Sequence, residues 1–365
     1  MSSNPYQRLA ERLDALPNGY PSTEEGVELQ LLAKIFTPEE ADLAARLHMK
    51  LETAEQIASR LLETDSIEFN PPDLHAKLKS MARKGLIAVG RIEEGLGFGL
   101  MPFIVGIYEA QLGRIDAELA TLFERYYKQG FGEMVAIQPP VHRVVPVGET
   151  VRMDIEIQPF ESVNAIVSNA QAWGVMDCIC RVQKSLIGEP CDHPVDVCMA
   201  LSRKPSVFDN HPYIKAVTID QALATLDRAA QAGLVHSISN SQVDITYICN
   251  CCTCSCGVLR GMVDLGKANV IARSAFVTHV DENLCLGCED CIPRCQFKAL
   301  SMQSNMIQVN ESRCAGCGLC VSICMEDALK LIRRPPEEIL PIPVTEHDWR
   351  VQRATARGQE ISNIL

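Results

Sequence analysis

The chain has 365 residues, which is enough for two or three domains with cores of their own. It carries 46 acidic and 34 basic side chains, a formal charge of -12, and this argues against non-specific binding to nucleic acid or to an anionic membrane. Seventeen cysteines occur without a signal peptide or a long apolar run, so we expect metal ligands in a reducing cytoplasm, with neither disulfides nor membrane insertion.

The start of the chain is predicted to be an arm followed by a small helical domain. Residues 1–23 are polar and broken near their end by two prolines and a glycine, which predicts a mobile or partner-docking arm. Residues 24–102 are predicted to hold three helices, one of which starts at a capping box of Thr53 and Gln56. The last of these helices ends near Gly85, and two short extended runs follow it.

The order of three helices and a hairpin is typical of a winged helix. Residues 24–102 resemble that family, with Met81 to Ile87 at the position of the junction between recognition helix and wing. Five basic side chains are candidates for phosphate contacts: Lys77, Lys79, Arg83, Lys84 and Arg91. Because neighbouring acidic residues dilute this charge, we expect a domain used for protein contacts rather than for DNA.

A connecting helix is predicted over residues 103–130. Its apolar side chains recur mostly three or four residues apart, with charges between them. Such a helix would serve as a connector or as the contact of a homodimer. Prolines and valines follow it, which predicts extended structure and a domain boundary near Gly130.

Residues 131–280 are predicted to form a central α/β domain that is rich in cysteine. An amphipathic helix in this region starts at Thr218 and ends at Gly233. The nine cysteines of the region are Cys178, Cys180, Cys191, Cys198, Cys249, Cys251, Cys252, Cys254 and Cys256. Five of them fall within eight residues, and crowded thiolates repel one another unless a metal withdraws their charge. The region is therefore predicted to bind one or two [4Fe-4S] clusters.

The sequence leaves the grouping of these nine ligands open. The first choice places one cluster on the four cysteines before residue 200 and another on ligands drawn from the five later ones. Sets that mix the two groups fit nearly as well, because spacing does not fix which segments meet. His193 and His236 are alternative ligands, and Arg181 is a candidate to offset cluster charge. A structural zinc ion is the alternative to a cluster.

Two cysteine quartets near the end of the chain carry the most specific signal. Each reads C-x2-C-x2-C-x3-C, and the eight residues are Cys285, Cys288, Cys291, Cys295, Cys314, Cys317, Cys320 and Cys324. In this spacing three thiolates bind one [4Fe-4S] cube and the fourth crosses to the other cube. Two cubes are therefore predicted, with Cys324 completing the first quartet's cube and Cys295 completing the second's. Zinc sites usually have separated cysteine pairs instead.

Residues 276–333 resemble a bacterial-type two-cluster ferredoxin, which implies a βαββαβ-type domain that we assign to residues 281–333. The resemblance departs at Gln296 and Met325, where the family usually has proline after the fourth cysteine. This departure affects the local turn and not the ligands. Residues 100–333 as a whole resemble multi-cluster iron-sulfur proteins associated with anaerobes, and that resemblance implies electron transfer.

Residues 334–365 are predicted to be an extended tail, because prolines keep its first part from folding. The end of the tail is polar and partly helical. A lone Trp349 in these polar surroundings favours docking on a partner over wrapping back on the same chain.

As a whole, the sequence predicts an α+β multidomain protein that relays single electrons to or from a redox partner, such as an oxidoreductase complex. No nucleotide-binding glycine motif and no catalytic arrangement stands out, so we expect an electron-transfer component rather than a self-contained enzyme. Two alternatives remain: a redox-sensing winged-helix regulator that binds DNA, and a reductase whose central cluster has an open iron site.

Overall fold

The computed structural model describes residues 4–148, 150–151, 156–267 and 269–360. The chain mixes helix and sheet, and it divides into two compact units, Met1–Gln138 with Arg350–Leu365 and Pro139–Trp349. The predicted α+β class is confirmed at this level. Within the described ranges, no helix has both the length and the apolar character that crossing a membrane requires.

The first unit is built from helices and a hairpin. Its helices are α1 (Pro5–Ala15), α2 (Val27–Ile35), α3 (Pro38–Ala44), α4 (Ala54–Asp65), α5 (Pro71–Arg83), α6 (Ala117–Tyr126) and α7 (Gly132–Met134). The hairpin pairs β1 (Ala88–Ile92) with antiparallel β2 (Gly95–Gly99). Leucine side chains of different helices are fully buried in the core, among them Leu9, Leu31, Leu61 and Leu78.

Local signals set the ends of the helices. The predicted capping box is present at α4: the Thr53 side chain accepts a hydrogen bond from the Gln56 N–H, and the Gln56 side chain accepts one from the Thr53 N–H. Gly85, just after α5, has a φ of +70°, and a Cβ on it would lie 2.5 Å from the Cβ of Ala110. Glycine therefore permits both the end of this helix and close packing behind it.

The predicted N-terminal arm, residues 1–23, is wrong from residue 4 onwards. Eleven residues of this stretch form α1, whose side chains Leu9 and Leu13 are buried and which packs against α2 and α3. The prolines that suggested an arm, Pro17 and Pro21, lie after the helix. Pro17 directly follows the cap residue Leu16, so it is placed to stop α1 from continuing but does not prevent the helix from forming.

The predicted connecting helix over residues 103–130 is interrupted. Only α6 is regular, and short turns of π or 3-10 type occupy Phe103–Ile107, Glu109–Gln111 and Tyr127–Phe131. Gly106 and Gly113 lie outside helical backbone angles and separate the first part from α6, which Asp116 caps. α6 packs against α2 within the same unit, and the unit ends at Gln138, later than predicted.

The second unit contains a six-stranded antiparallel sheet. Its elements, in chain order, are β3 (His142–Val144), α8 (Val163–Ser168), β4 (Ala172–Met176), α9 (Ile179–Leu186), β5 (Cys198–Ser202), β6 (Lys215–Val217), α10 (Ile219–Gln231), β7 (Val235–Ser239), β8 (Tyr247–Cys251) and α11 (Gly257–Asp264). The strand order is β3-β7-β8-β5-β4-β6. α8 and α10 pack on the sheet around a core that includes Val167, Met199, Leu226 and Ile238.

The segment of residues 276–333, which carries both cysteine quartets, belongs to the same unit. It adds two two-stranded antiparallel ladders, in which β9 (Phe276–Val280) pairs with β12 (Leu329–Arg333) and β10 (Leu300–Gln303) pairs with β11 (Met306–Val309). Residues 281–333 therefore do not stand apart as a separate compact unit from the cysteine-rich region.

The C-terminal tail packs on its own chain. It contains α12 (Glu346–Ala356), and Trp349 is 5% exposed with its Nε1 donating to the Pro140 carbonyl oxygen at 2.9 Å. Further on, the buried Arg353 donates to the carbonyl oxygens of Pro17 and Met134. The prediction that Trp349 docks on a partner is therefore wrong, because its indole is already buried and bonded.

Candidate metal centres

The two cysteine quartets lie in tight loops. The first quartet lies between β9 and β10 and the second between β11 and β12. Gly287 and Gly316 in these loops have φ values of +68° and +67°. A Cβ on Gly287 would lie 2.5 Å from the Asn305 carbonyl oxygen, and one on Gly316 would lie 2.1 Å from the Phe276 carbonyl oxygen. Only glycine allows so close an approach between these loops and the neighbouring backbone.

The eight thiols are arranged as two neighbourhoods of four. In the first set, the pKa of Cys291 is raised to about 11, mainly by burial and also by the negative charge of its three neighbours, Cys288, Cys324 and Cys285. In the second set, the pKa of Cys317 is raised well above its usual value, mainly by burial and also by the negative charge of its three neighbours, Cys320, Cys295 and Cys314. Each set thus combines the first three cysteines of one quartet with the last cysteine of the other quartet.

Both sets fit [4Fe-4S] clusters. Four thiols are the ligand number of one cube. Four of the eight thiols have raised pKa values, which favour the protonated form: Cys291, Cys295, Cys317 and Cys320. A cation that withdraws charge is needed to hold these four as thiolates. Polar groups that influence cluster sulfur are also in place: the Ala299 N–H donates to Cys295 Sγ at 3.2 Å, and Thr278 Oγ1 lies 3.3 Å from Cys320 Sγ.

The two sets differ in exposure. The three cysteines that the second quartet contributes to its own set are each buried. In the first set Cys288 is exposed, and Leu286 and Met325, which directly follow two other ligands of that set, are 72% and 91% exposed. The first set therefore lies at the protein surface and the second lies inside.

Six of the nine central cysteines form a closed ring of side-chain contacts. In the order of contact, this six-thiol ring is Cys178, Cys198, Cys249, Cys251, Cys256, Cys180 and back to Cys178. The ring draws its thiols from four places: Cys178 and Cys180 lie at the start of α9, Cys198 lies in β5, Cys249 and Cys251 lie in β8, and Cys256 directly precedes α11. Because β5 and β8 pair with Met199 opposite Ile248, Cys198 meets Cys249 across the sheet.

A buried arginine lies against the ring. Arg181 is 2% exposed, and its Nη2 donates to the Asn250 carbonyl oxygen at 2.8 Å and to Cys252 Sγ at 3.4 Å. Burial alone would lower the pKa of Arg181, but the charges of Cys178 and Cys252 raise it. Its Nε and Nη1 have no hydrogen-bond partner among the described residues. A buried cation with two unused donors fits an anionic metal cluster held by the ring.

The other three central cysteines gather around a histidine. The ligand atoms of Cys191, His193, Cys252 and Cys254 all lie within 4.8 Å of one another. In the part of the chain that the structure describes, no other three ligand side chains come this close together. The thiol ring is therefore wider than this second group, although its successive members touch.

The structure divides the central ligands differently from the first grouping that the sequence suggests. Cys191 joins the later pair Cys252 and Cys254, which is one of the mixed sets that the sequence leaves open. His193 is part of this group, whereas His236 joins neither. His236 is fully buried, and its Nδ1 bonds to the Asn250 side chain. Sequence reasoning missed the polar residues next to sulfur, because no spacing pattern marks them: Ser237, Ser255 and Thr278.

Comparison with known proteins gives one match. A family model described as a 4Fe-4S binding domain matches residues 306–329, which include the whole second quartet. No curated protein and no solved structure matches the chain. The match and the thiol sets define an iron-sulfur protein. This chain binds [4Fe-4S] clusters.

Proposed function

We propose that this iron-sulfur protein is an electron-transfer component that exchanges single electrons with a redox partner protein. The observation that carries the proposal is the pair of interleaved thiol sets around Cys291 and Cys317. Bound [4Fe-4S] clusters supply one-electron chemistry. The chain supplies the ligands, the burial and the hydrogen bonds that set the potentials.

We infer that residues 281–333, together with β9, form a dicluster ferredoxin domain. Each half repeats the order of strand, cysteine quartet and strand, and the outer strands β9 and β12 pair with each other, as do the inner strands β10 and β11. Apolar side chains such as Leu300, Ile307 and Leu329 pack with ligands of both sets. This shell excludes water between the two proposed cubes and lowers the dielectric around them.

The six-thiol ring is the proposed site of a third cluster. It offers more thiols than the four that one cube needs, and it is too wide for a single ion. The unused donors of Arg181 supply hydrogen bonds and positive charge for a polynuclear, anionic group.

The exposed end of the first set is the proposed contact with the partner. Leu286 and Met325 form its apolar part. Exposed acidic side chains follow in the same two loops: Glu289, Asp290, Glu326 and Asp327. An apolar patch with an acidic rim fits a partner that has an apolar patch with a basic rim.

For residues 24–102 we propose a winged-helix-like module that makes protein contacts. The elements follow the order of that fold: α3, then α4 and α5, then the β1–β2 hairpin. An isolated bridge between Glu52, just before α4, and Phe98 in the hairpin adds a third short extended piece. Of the basic candidates for DNA contact, Lys84 already pairs with Glu40 at 2.6 Å. A salt-dependent gel shift of duplex DNA that is lost in Arg83→Glu would instead favour the regulator.

Iron counting tests the proposal as a whole. The full chain, purified without oxygen, should contain about twelve irons, four for each of three sites, and should show EPR signals of reduced [4Fe-4S] clusters. Cys291→Ser and Cys317→Ser should each remove about four irons. A triple variant of Cys198→Ser, Cys249→Ser and Cys251→Ser leaves three ring thiols, fewer than one cube needs, and should remove iron only from the ring. A wild-type count of about eight that this triple variant leaves unchanged would refute the third cluster. Failure of the reduced protein to reduce cytochrome c, a basic one-electron acceptor, would refute electron transfer through the exposed end.

A further inference from the structure

The group of Cys191, His193, Cys252 and Cys254 joins two segments that are distant in the chain. Cys191 and His193 lie in the loop after α9, and Cys252 and Cys254 lie in the turn between β8 and α11. Cys254 Sγ is 3.5 Å from His193 Nδ1, and all four ligand atoms are within 4.8 Å of one another. The two segments thus present their donors to one point.

This spacing is that of ligands around one metal ion. In a tetrahedral zinc site the metal–sulfur distance is about 2.3 Å, which places two sulfurs about 3.8 Å apart. Around a [4Fe-4S] cube each thiolate binds a different iron, so its four ligand atoms stand much farther apart. The ligand atoms of this group are too close together to surround a cube.

We propose that Cys191, His193, Cys252 and Cys254 form a structural Zn2+ site that is separate from the iron-sulfur sites. Three thiolates and one imidazole are a donor set of structural zinc sites. All four positions of a tetrahedral ion are filled by the protein, so no position is open to substrate. The proposal does not depend on electron transfer, because it concerns a different ion held by different residues.

Neighbouring side chains complete the site. The Ser255 hydroxyl donates to Cys191 Sγ at 3.3 Å, and Arg181 Nη2 donates to Cys252 Sγ at 3.4 Å. Zn2+ with three thiolates carries a net charge of -1, which the buried guanidinium of Arg181 offsets. Such outer donors fix the direction of the ligands and reduce repulsion among the sulfurs.

The proposed ion would position the ring ligands of the same segment. Cys251 belongs to the six-thiol ring and Cys252, the next residue, belongs to the zinc site. The ion ties the end of β8 to the loop after α9, and so it fixes the turn that leads from Cys251 to Cys256. Its role is positional: it holds the backbone that carries other ligands.

Zinc K-edge absorption of the full chain, purified without oxygen, tests the site directly. We expect one zinc per chain with three sulfurs at about 2.3 Å and one nitrogen at about 2.0 Å. His193→Cys should keep the zinc and change its shell to four sulfurs, whereas His193→Ala should lose the zinc. The triple ring variant of Cys198→Ser, Cys249→Ser and Cys251→Ser should lose the ring iron and keep zinc.

Three results would overturn the proposal. The first is a wild-type protein without stoichiometric zinc, and the second is zinc with a shell other than three sulfurs and one nitrogen. The third is a His193→Ala protein that loses about four irons while its zinc is unchanged, since that would make His193 a cluster ligand. The first two are measured on the wild-type protein and do not depend on whether a variant folds. A failure of electron transfer would appear in iron and EPR and would leave the zinc shell as it is.

Discussion

The thiol of Cys324 lies beside that of Cys291, although the two residues belong to different quartets. The first set therefore closes only when both quartet loops of residues 276–333 are folded. The reciprocal placement of Cys295 beside Cys317 has the same effect for the second set.

Paired substitutions reveal this crossing of ligands. Cys288→Ser and Cys324→Ser should each remove about four irons, and the double variant should lose no more than either single one, because both residues serve one cube. Cys288→Ser combined with Cys295→Ser should lose about eight, because these residues serve different cubes. Iron and sulfide analysis with EPR measures the outcome. If Cys288→Ser with Cys324→Ser loses both clusters, the crossed assignment fails.

The charge of Arg181 should raise the potential of the third cluster that we propose in the six-thiol ring. Arg181→Gln keeps a polar side chain of similar length but removes the positive charge, so the added electron is less stabilised and the potential should fall. Arg181→Lys keeps the charge and should change the potential less. Redox titration followed by EPR measures this cluster and the two clusters proposed for residues 276–333 in the same sample. Equal potentials in wild type and Arg181→Gln would show that the charge plays no such part.

The acidic rim of the first set should speed association with a basic partner. Glu326→Lys and Asp327→Lys should lower the second-order rate of cytochrome c reduction at low salt by about tenfold or less, and the difference should shrink as salt is added. Stopped-flow absorbance measures the rate. Glu63→Lys, an equal change of charge at an exposed residue outside residues 276–333, is the matched control, and it should have a smaller effect. If the three variants behave alike, only net charge matters and the proposed contact is wrong.

His142 should make the second unit less stable in acid. Burial lowers the pKa of His142 to about 4, whereas an unfolded histidine titrates near about 6.5. Between these pH values the unfolded chain binds a proton that the folded chain does not, so the free energy of unfolding falls by up to about 1.4 kcal/mol for each unit that the pH drops. The loss is complete only below pH 4 and is nearly absent at pH 7.

The variant His142→Leu should reduce this loss, because a leucine cannot take up the proton. Neither ring nitrogen of His142 has a hydrogen-bond partner among the described residues, so no bond is broken by the change. The apparent Tm, measured without oxygen at pH 7 and pH 5, should favour the variant more at pH 5. An advantage of the same size at both values would mean that protonation of His142 is not the cause.

The crossed neighbourhoods of the eight quartet thiols could be expected from the sequence, because the spacing within each quartet limits which thiols can meet. Each quartet brings three thiolates together within one loop, so little tertiary structure has to be known. The grouping of the central cysteines was not predictable in this way. Cys198 meets Cys249 only through the pairing of β5 with β8, and the sequence does not reveal which strands become neighbours.

One local signal would have helped with the central site. Side chains two apart in a strand share a face, so Cys249 and Cys251 in β8 point to the same side. Cys252 follows the end of the strand and turns to the other group. In the first unit, apolar spacing suggested one helix over 103–130 because it gave too little weight to Gly106 and Gly113, which interrupt the helix.

The difference in exposure between the two thiol sets also has a cost. In the proposed electron-transfer role, an electron would leave the protein through the first set, where Cys288 is exposed, and the same exposure admits dioxygen. The second set, with Cys317 only 8% exposed, is shielded from it. A short exposure to air should therefore damage the cluster proposed for the first set before the one proposed for the second set. Such molecules would keep the buried cluster but would lack the exposed cluster through which it exchanges electrons with the partner.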